Sequence, residues 1–190
     1  MIAPGLLIGL CWLVFIIYWT MSAFSAKRSV RSERWWRFAW IRILALALII
    51  TVVRFSVVTG HSAVWSTPYP FGPIGVVLGL LCTALGIALA VWARAYLGRN
   101  WGMPMSLKEN SELVTTGPYA TIRHPIYSGM LLAMLGSLLA DSLVWSIPLV
   151  CAAAYFIYSA FSEERLMRAQ FPQTYPAYQK SSKMFIPFVV

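Results

Sequence analysis

Apolar segments long enough to cross a membrane are the feature that most restricts the fold of this chain. The first runs from Ile2 to Phe24, the second from Ala39 to Thr59 and the third from Pro73 to Tyr96. A helix needs roughly 20 apolar residues to span the hydrocarbon core of a bilayer. Only 11% of the 190 residues are charged, whereas typical soluble domains carry about 25%. The sequence therefore predicts an integral, multi-pass membrane protein.

Two further apolar segments complete the predicted bundle. They run from Pro125 to Ala140 and from Leu143 to Phe161, and the short break between them, Asp141-Ser142, predicts a helical hairpin. The predicted fold class is all-α, an integral membrane bundle of about five transmembrane helices in a single domain. Residues 1–96 supply three helices, and residues 97–190 supply a long polar loop, the hairpin and a tail of short helices that folds back over the loop. Small residues in the third segment predict close helix packing: Gly75, Gly79, Ala84, Gly86 and Ala88.

Lysine and arginine mark the predicted cytoplasmic side of the bundle. They concentrate in the connections after the first and third segments and in the C-terminal tail, and none occurs between Gly60 and Gly72. The positive-inside rule then places the N-terminus outside and the C-terminus in the cytoplasm, and we expect a bacterial inner membrane. We interpret the net charge of +9 as this topology signal and predict no nucleic-acid partner. Arg54, inside the second segment, is expected either to snorkel to the outer surface or to contact a substrate head group.

The polar loop ends in LVTTGPYATIRHPIY, which occupies residues 113–127. Gly117-Pro118 predicts a turn, and Pro125 predicts the first position of a helix, with His124 at its mouth. Because a helix N-terminus offers N–H groups and a partial positive charge, it suits a carboxylate or a phosphate. Tyr127 and Ser128 lie one turn beyond His124 and face roughly the same way. The pattern predicts a polar, anion-binding pocket beside a membrane helix.

Two blocks of this sequence resemble a known family. GPYATIRHPIY resembles the signature of the isoprenylcysteine carboxyl methyltransferase family of integral membrane methyltransferases, which is similar to the phospholipid N-methyltransferases. The second block resembles the closing pattern of that family: Glu163-Glu164, then Phe171, Tyr175 and Tyr178, then Ile186-Pro187-Phe188. The resemblance covers about the C-terminal half of the chain, from Leu97 onward. It implies S-adenosylmethionine as the methyl donor, S-adenosylhomocysteine as its product, and a lipophilic small molecule or lipid from the bilayer as the acceptor.

The resemblance also implies roles for individual residues. It places cofactor contacts at seven positions: Leu113, Val114, Tyr119, His124, Pro125, Tyr127 and Glu163. Glu164 and Arg123 are the candidates for a catalytic role. This chain departs from the family at two positions, with Ser111 where the family often has His and Ser159 where the prenylcysteine enzymes carry an arginine proposed to grip the substrate. The second departure leaves the acceptor open.

Simpler interpretations of these residues stand beside the functional ones. His124 is expected either to cap its helix or to donate to a ligand, and Arg123 either to anchor to a lipid phosphate or to serve the site. Tyr119 and Tyr127 are also typical of aromatic residues at a membrane interface. The pair Glu163-Glu164 is expected to be either a solvated helix end or, because acidic residues at a membrane are costly, part of a functional site.

The chemistry of methyl transfer bears on the acceptor. A carboxylate is already ionised near pH 7, so it needs orientation and removal from water but no strong base. An amine must first lose a proton to a general base, and the candidate bases are few: His124, Glu163 and Glu164. This scarcity favours a carboxylate or another easily ionised acceptor, and together with the resemblance it leads us to expect a carboxylate of a lipid or isoprenoid-like small molecule.

Two rival functions remain on the sequence alone. Sterol-type membrane reductases have a similar C-terminal half and bind NADPH, but those enzymes carry more spans. A non-enzymatic protein that binds a lipid or haem is the other rival, and the presence of only two histidines argues against haem. The sequence has no Gly-x-Gly fingerprint of soluble nucleotide-binding folds. Its three cysteines lie in apolar segments, so no metal site is predicted.

Overall fold

The structure is a computed structural model, and it describes residues 4–23, 29–31, 69–98, 107–108 and 112–186. The described part contains five α-helices: α1 (Pro4–Ala23), α2 (Gly72–Leu97), α3 (Pro125–Ala140), α4 (Ser146–Gln170) and α5 (Tyr175–Ser181). Short 3-10 turns cover Gly117–Ala120 and Leu143–Trp145, and a two-stranded pair is formed by β1 (Ser29–Arg31) and β2 (Leu107–Lys108). The predicted all-α membrane bundle is confirmed, with this short strand pair as an unpredicted addition.

Three helical segments in the described part of the chain are long and apolar enough to cross a membrane. They are Pro4–Ser22, Gly72–Leu97 and Leu143–Gln170. The helix Pro125–Ala140 is apolar but shorter. The predicted second span, from Ala39 to Thr59, lies outside the described residues together with Arg54 and Ser111.

Helices α2 and α3 pack with their backbones in contact, because glycine faces the partner at each crossing point. A Cβ atom at Gly136 would lie 2.6 Å from Thr83 Oγ1, and one at Gly86 would lie 3.0 Å from Ala133 Cα. Thr83 Oγ1 donates to the Gly79 carbonyl at 2.9 Å and reaches the Ala133 carbonyl at 3.3 Å. Close packing at Gly75, Gly79 and Gly86 was predicted correctly, whereas Ala84 and Ala88 are exposed on another side of α2.

Helix α1 lies against α2 and α3 through aromatic side chains and one buried arginine. Trp12 Nε1 donates to Ser137 Oγ at 3.0 Å, and Phe15 is buried against α2 and α3. Arg94 near the end of α2 is only 1% exposed. Its guanidinium donates to the Ser22 carbonyl at 2.5 Å and to the Gly98 carbonyl at 2.9 Å. Arg94 therefore joins the C-terminal ends of α1 and α2.

Helix α4 is longer than the sequence pattern indicated. The apolar segment was predicted to end near Phe161, but the helix continues through the acidic pair to Gln170. The reason is that Glu, Arg, Leu, Met and Ala, which fill these positions, are all strong helix formers. The predicted break between the two helices of the hairpin is confirmed, since Asp141 ends α3 and Ser142 Oγ accepts from the Val144 N–H at 3.3 Å. Pro176 lies in the first turn of α5, where a proline is tolerated.

The strand pair joins two connections that are far apart in sequence. Ser29 pairs with Lys108, and Arg31 pairs with Leu107, in an antiparallel arrangement. The connection after α1 and the connection after α2 are therefore adjacent, at the same end of the bundle.

Candidate functional site

The loop that precedes α3 is built on a tight turn seated against the end of α2. Gly117 has φ of 60°, a backbone conformation that side chains other than glycine rarely adopt. A Cβ atom at this position would also lie 2.6 Å from the Tyr96 ring. Tyr96 Oη donates to Thr116 Oγ1 at 3.1 Å, which fixes the start of the turn. The predicted Gly117-Pro118 turn is confirmed.

Tyr119 follows in this turn and is buried. Its hydroxyl donates to the Ala93 carbonyl at 3.4 Å, and its own carbonyl accepts from Tyr178 Oη at 2.7 Å. Burial raises the pKa of the Tyr119 phenol, and burial raises the pKa of Tyr178 to about 12. Both hydroxyls therefore stay protonated at neutral pH and act as hydrogen-bond donors that join the loop to α2 and α5.

His124 occupies the N-cap position of α3, as predicted, but its side chain does not cap the helix. The His124 ring stacks on the Tyr127 ring, with centroids 5.5 Å apart and planes within 2°. Its Nδ1 lies 3.6 Å from Glu163 Oε2, and its Nε2 lies 3.6 Å from Glu164 Oε1. These separations are too long for hydrogen bonds, and Nε2 is buried without a hydrogen-bond partner in the described part of the chain.

The two consecutive glutamates of α4 have different surroundings. Glu163 is the more exposed, with 24% of its side chain accessible, and it accepts from Tyr127 Oη at 2.6 Å. Glu164 is 3% exposed and accepts from Arg123 Nε at 2.7 Å and from Gln179 Nε2 at 2.5 Å. Successive residues of a helix point about 100° apart, so one carboxylate faces the α3 mouth and the other faces α5.

Arg123 is held by protein groups on several sides. Besides Glu164, its guanidinium donates to the carbonyls of Gln179, at 3.2 Å, and Ser182. Arg123 Nε and Nη1 are directed towards these protein oxygens, and only 9% of the side chain is exposed, which favours a role within the site over a lipid-phosphate anchor. Arg123 and Glu164, the two candidates for a catalytic role, are thus brought together as a buried ion pair.

The C-terminal segment folds back over the loop, as predicted. Residues 182–186 run beside residues 121–124, with a parallel bridge between Ile122 and Lys183. The His124 N–H donates to the Met184 carbonyl at 3.1 Å, and the Phe185 ring lies 5.8 Å from the His124 ring. Ser128 Oγ donates to the Phe185 carbonyl at 2.6 Å and to the His124 carbonyl at 3.1 Å.

The remaining predicted contacts lie along the same region. Val114 packs against a hydrophobic cluster that contains Tyr119 and Tyr127. Tyr127 also stacks on Phe156 of α4, with ring centroids 4.5 Å apart. Pro125 is buried at the first position of α3, and Leu113 is half-buried beside Val114. The structure therefore gathers the predicted loop residues and the acidic pair at one end of the bundle.

Comparison with known proteins now places the chain. Residues 74–174, just over half of it, match the phospholipid methyltransferase family. The chain belongs to this family. That finding supports the resemblance to membrane methyltransferases drawn from the two sequence blocks.

Two curated bacterial proteins are similar over most of the chain. One is the cobalt-zinc-cadmium resistance protein CzcN of Cupriavidus metallidurans, 31% identical over 149 residues that cover 77% of this chain and 63% of the relative. The other is the nickel-cobalt-cadmium resistance protein NccN of Alcaligenes xylosoxydans xylosoxydans, 31% identical over 150 residues that cover 77% and 64%. The chain spans less than two thirds of the length of these relatives.

Gln179 and Ser182 were missed by the sequence analysis, and Tyr175 and Tyr178 were recognised only as part of the second family block, with no role in the site. Tyr175, Tyr178, Gln179 and Ser182 all face the loop or the acidic pair from α5 and the segment after it. Their spacing of i, i+3, i+4 and i+7 is that of one helix face, and this periodicity is the signal that could have found them.

Ser159 is the position at which this chain departs from the prenylcysteine enzymes. It lies on α4 one turn before Glu163 and is fully buried. Its Oγ has no hydrogen-bond partner among the described residues.

Proposed function

We propose that this family member transfers a methyl group from S-adenosylmethionine to a lipophilic acceptor, a carboxylate of a lipid or isoprenoid-like small molecule. The observation that carries the proposal is the position of Glu163. Its partly exposed carboxylate is oriented by Tyr127 and lies beside His124 at the mouth of α3.

The chemistry of these side chains fits the methyl donor. S-Adenosylmethionine carries an ammonium, a sulfonium and ribose hydroxyls. A carboxylate attracts the two cationic groups and accepts hydrogen bonds from the ammonium and the hydroxyls. Tyr127 holds the Glu163 carboxylate at 2.6 Å, so little side-chain entropy is lost when a ligand binds. His124 Nδ1, 3.6 Å from Glu163 Oε2, adds a polar atom to the same wall.

The walls of the site fit a displacement reaction between bound partners. The cofactor supplies the methyl group on a positively charged sulfur, and its departure leaves a neutral thioether. The protein must mainly align donor and acceptor and keep water out. The stacked rings of Tyr127 and Phe156 supply an apolar wall on the bilayer side of Glu163, where an ionised carboxylate on a lipophilic body is the favoured acceptor.

We place this site at the cytoplasmic end of the bundle, with the N-terminus outside and the C-terminus inside. The support is the charge pattern of the connections and the pairing of β1 with β2, which brings two basic connections to one end. The polar cofactor would then enter from the cytoplasm and the acceptor from the bilayer.

A role in resistance to divalent metals is a second candidate, favoured by the names of both relatives. Methyl transfer to a membrane lipid is compatible with such a role, so the two candidates are tested together. Expression in a metal-sensitive bacterial host should raise tolerance to cobalt and cadmium, and Glu163→Gln should abolish the gain. Equal tolerance with either protein would separate metal resistance from the site.

The direct test compares ligands by calorimetry on the protein in detergent. We expect S-adenosylhomocysteine to bind and NADPH to give no heat, and Glu163→Gln to lose the binding while Glu112→Gln, an exposed carboxylate of the preceding loop, keeps it. Radiolabelled methyl transfer into a total lipid extract then identifies the acceptor. Tight NADPH binding without a response to S-adenosylhomocysteine would overturn the proposal in favour of a reductase.

A further inference from the structure

We propose that Glu164 and Gln179 act as a positioning pair, which fastens the C-terminal segment over the mouth of α3 and thereby holds His124 and Glu163 in ligand-binding geometry. The C-terminal segment is defined here as residues 171–186. The inference rests on the proposed function for the identity of the ligand, but not for the fastening itself. It assigns different tasks to the two glutamates of α4, with Glu163 facing the ligand and Glu164 facing the protein.

Glu164 is a carboxylate that the fold buries and then surrounds with donors. Arg123 Nε lies 2.7 Å away, Gln179 Nε2 lies 2.5 Å away and Arg168 Nη2 lies 3.8 Å away. A buried carboxylate is tolerated only when it is paired and hydrogen-bonded. Because three donors approach it from the loop, α5 and α4 itself, Glu164 is the point at which these segments are joined.

Gln179 uses every kind of hydrogen-bonding group that it has. Its side-chain amide nitrogen donates to Glu164, its amide oxygen accepts from Arg168 Nε at 3.0 Å, and its backbone carbonyl accepts from Arg123 at 3.2 Å. An amide side chain can donate through its nitrogen to a carboxylate and accept through its oxygen from a guanidinium at the same time. A leucine of similar size would break both side-chain bonds and leave the volume nearly unchanged.

The pair is connected to the site by short steps. Glu164 Oε1, which accepts from Arg123, lies 3.6 Å from His124 Nε2. Lys183 and Met184, a few residues after Gln179, accept through their carbonyls from the N–H groups of Arg123 and His124 at 2.8 and 3.1 Å. Phe185 then packs beside the His124 ring. Releasing Gln179 therefore loosens one wall of the site and the anchor of its histidine together.

The test combines ligand binding with proteolysis of the same detergent-solubilised chain. Gln179→Leu is compared with Gln173→Leu, whose exposed glutamine lies in the turn before α5. We expect Gln179→Leu to weaken S-adenosylhomocysteine binding about tenfold, through faster dissociation, since two hydrogen bonds to charged groups are lost. Tryptic cleavage after Lys180 and Lys183, followed by mass spectrometry, should also be several times faster, and the control should match the wild type in both measurements.

A reciprocal exchange shows that the pair, and not general instability, is responsible. Glu164→Gln combined with Gln179→Glu keeps the total charge and the donor–acceptor contact, so the double variant should bind at least threefold tighter than Glu164→Gln alone, as for coupled residues. If Gln179→Leu fails to fold, Arg168→Ala removes an exposed partner of Gln179 and should give the same effects at smaller size.

The outcomes separate the two proposals. Unchanged cleavage and unchanged affinity in Gln179→Leu, or a double variant no better than Glu164→Gln, would overturn the positioning pair while the proposed function stands. A wild-type protein that does not bind S-adenosylhomocysteine overturns the proposed function and the ligand part of the inference, whereas the cleavage rates decide the fastening independently.

Discussion

Two parts of α3, its N-terminal end and the rest of the helix, are held in contrasting ways. Along most of its length the helix packs on α2 through glycine, alanine and threonine, with backbone against backbone. At its N-terminal end it is held by a buried network of charged and polar side chains from the loop, α4 and the C-terminal segment. The first arrangement depends on shape and tolerates no added volume, whereas the second depends on pairing and tolerates no missing partner.

The largest loss of stability is expected when the buried ion pair at the N-terminal end of α3 is broken. Arg123→Leu leaves the Glu164 carboxylate, 3% exposed, without its closest cation, and removal of one partner of a buried pair costs about 3–5 kcal/mol. Thermal unfolding in detergent should show this loss. The combined variant Arg123→Leu and Glu164→Leu, which leaves no unpaired charge, should recover much of the stability; a double variant as unstable as the single one would contradict this account.

Adding side-chain volume to the part of α3 that packs on α2 should destabilise the protein. Gly136→Leu places a side chain where even a Cβ would lie 2.6 Å from Thr83 Oγ1, so the helices must separate at a cost of about 1–3 kcal/mol. The matched control is Gly9→Leu on α1, where nothing lies within 4 Å of an added Cβ. Equal unfolding temperatures for the two variants would show that α2 and α3 do not pack this closely.

Glu163 should separate function from stability at the polar end. Glu163→Gln keeps the shape of the side chain and a possible contact with Tyr127, but removes the charge that the proposed cofactor requires. We expect S-adenosylhomocysteine affinity to fall about 100-fold, which corresponds to about 3 kcal/mol, with little change in unfolding temperature. Loss of folding in this variant would instead place Glu163 with Glu164 among the residues that hold the structure together.

The same contrast explains what the sequence could predict. Close packing at Gly75, Gly79 and Gly86 could be predicted from the spacing of small residues along one segment. The start of α3 could be predicted from Pro125, because the fixed φ and missing N–H of proline suit the first position of a helix. The buried polar network at the N-terminal end of α3 could not be predicted from local spacing, because Arg123 contacts Glu164 and Gln179, which lie 41 and 56 positions away in the chain. No local pattern encodes such contacts, so the burial of Glu164 against Arg123 and Gln179 could not be predicted from the sequence.

The end of α4 shows a second limit of the sequence pattern. The predicted boundary at Phe161 was based on hydropathy. The helix itself does not end where the apolar residues end, and it continues for more than two turns to Gln170. Helical geometry is what sends Glu163 and Glu164 in different directions. In a disordered tail after the span, the two carboxylates would have had equivalent surroundings and Glu164 would not be buried.

Two buried serines give the smallest and most discriminating prediction, because they should respond to the same substitution with opposite signs. Ser137 in the packed part of α3 accepts from Trp12 Nε1 at 3.0 Å and donates to the Ala133 carbonyl at 2.9 Å. Ser137→Ala leaves the indole N–H unpaired and should destabilise the protein by about 1 kcal/mol. Ser159 near the polar end is also fully buried, but its Oγ has no partner among the described residues.

Ser159→Ala therefore removes an unsatisfied hydroxyl and should stabilise the ligand-free protein by about 1 kcal/mol. Thermal unfolding of both variants in one detergent provides the comparison. Because Ser159 lies on α4 one turn before Glu163, the proposed function predicts that the gain in stability is accompanied by a higher KM for the methyl acceptor with unchanged affinity for S-adenosylhomocysteine. A destabilised Ser159→Ala protein would mean that its hydroxyl is satisfied in the folded chain, and the contrast between the two parts of α3 would then rest on the charged residues alone.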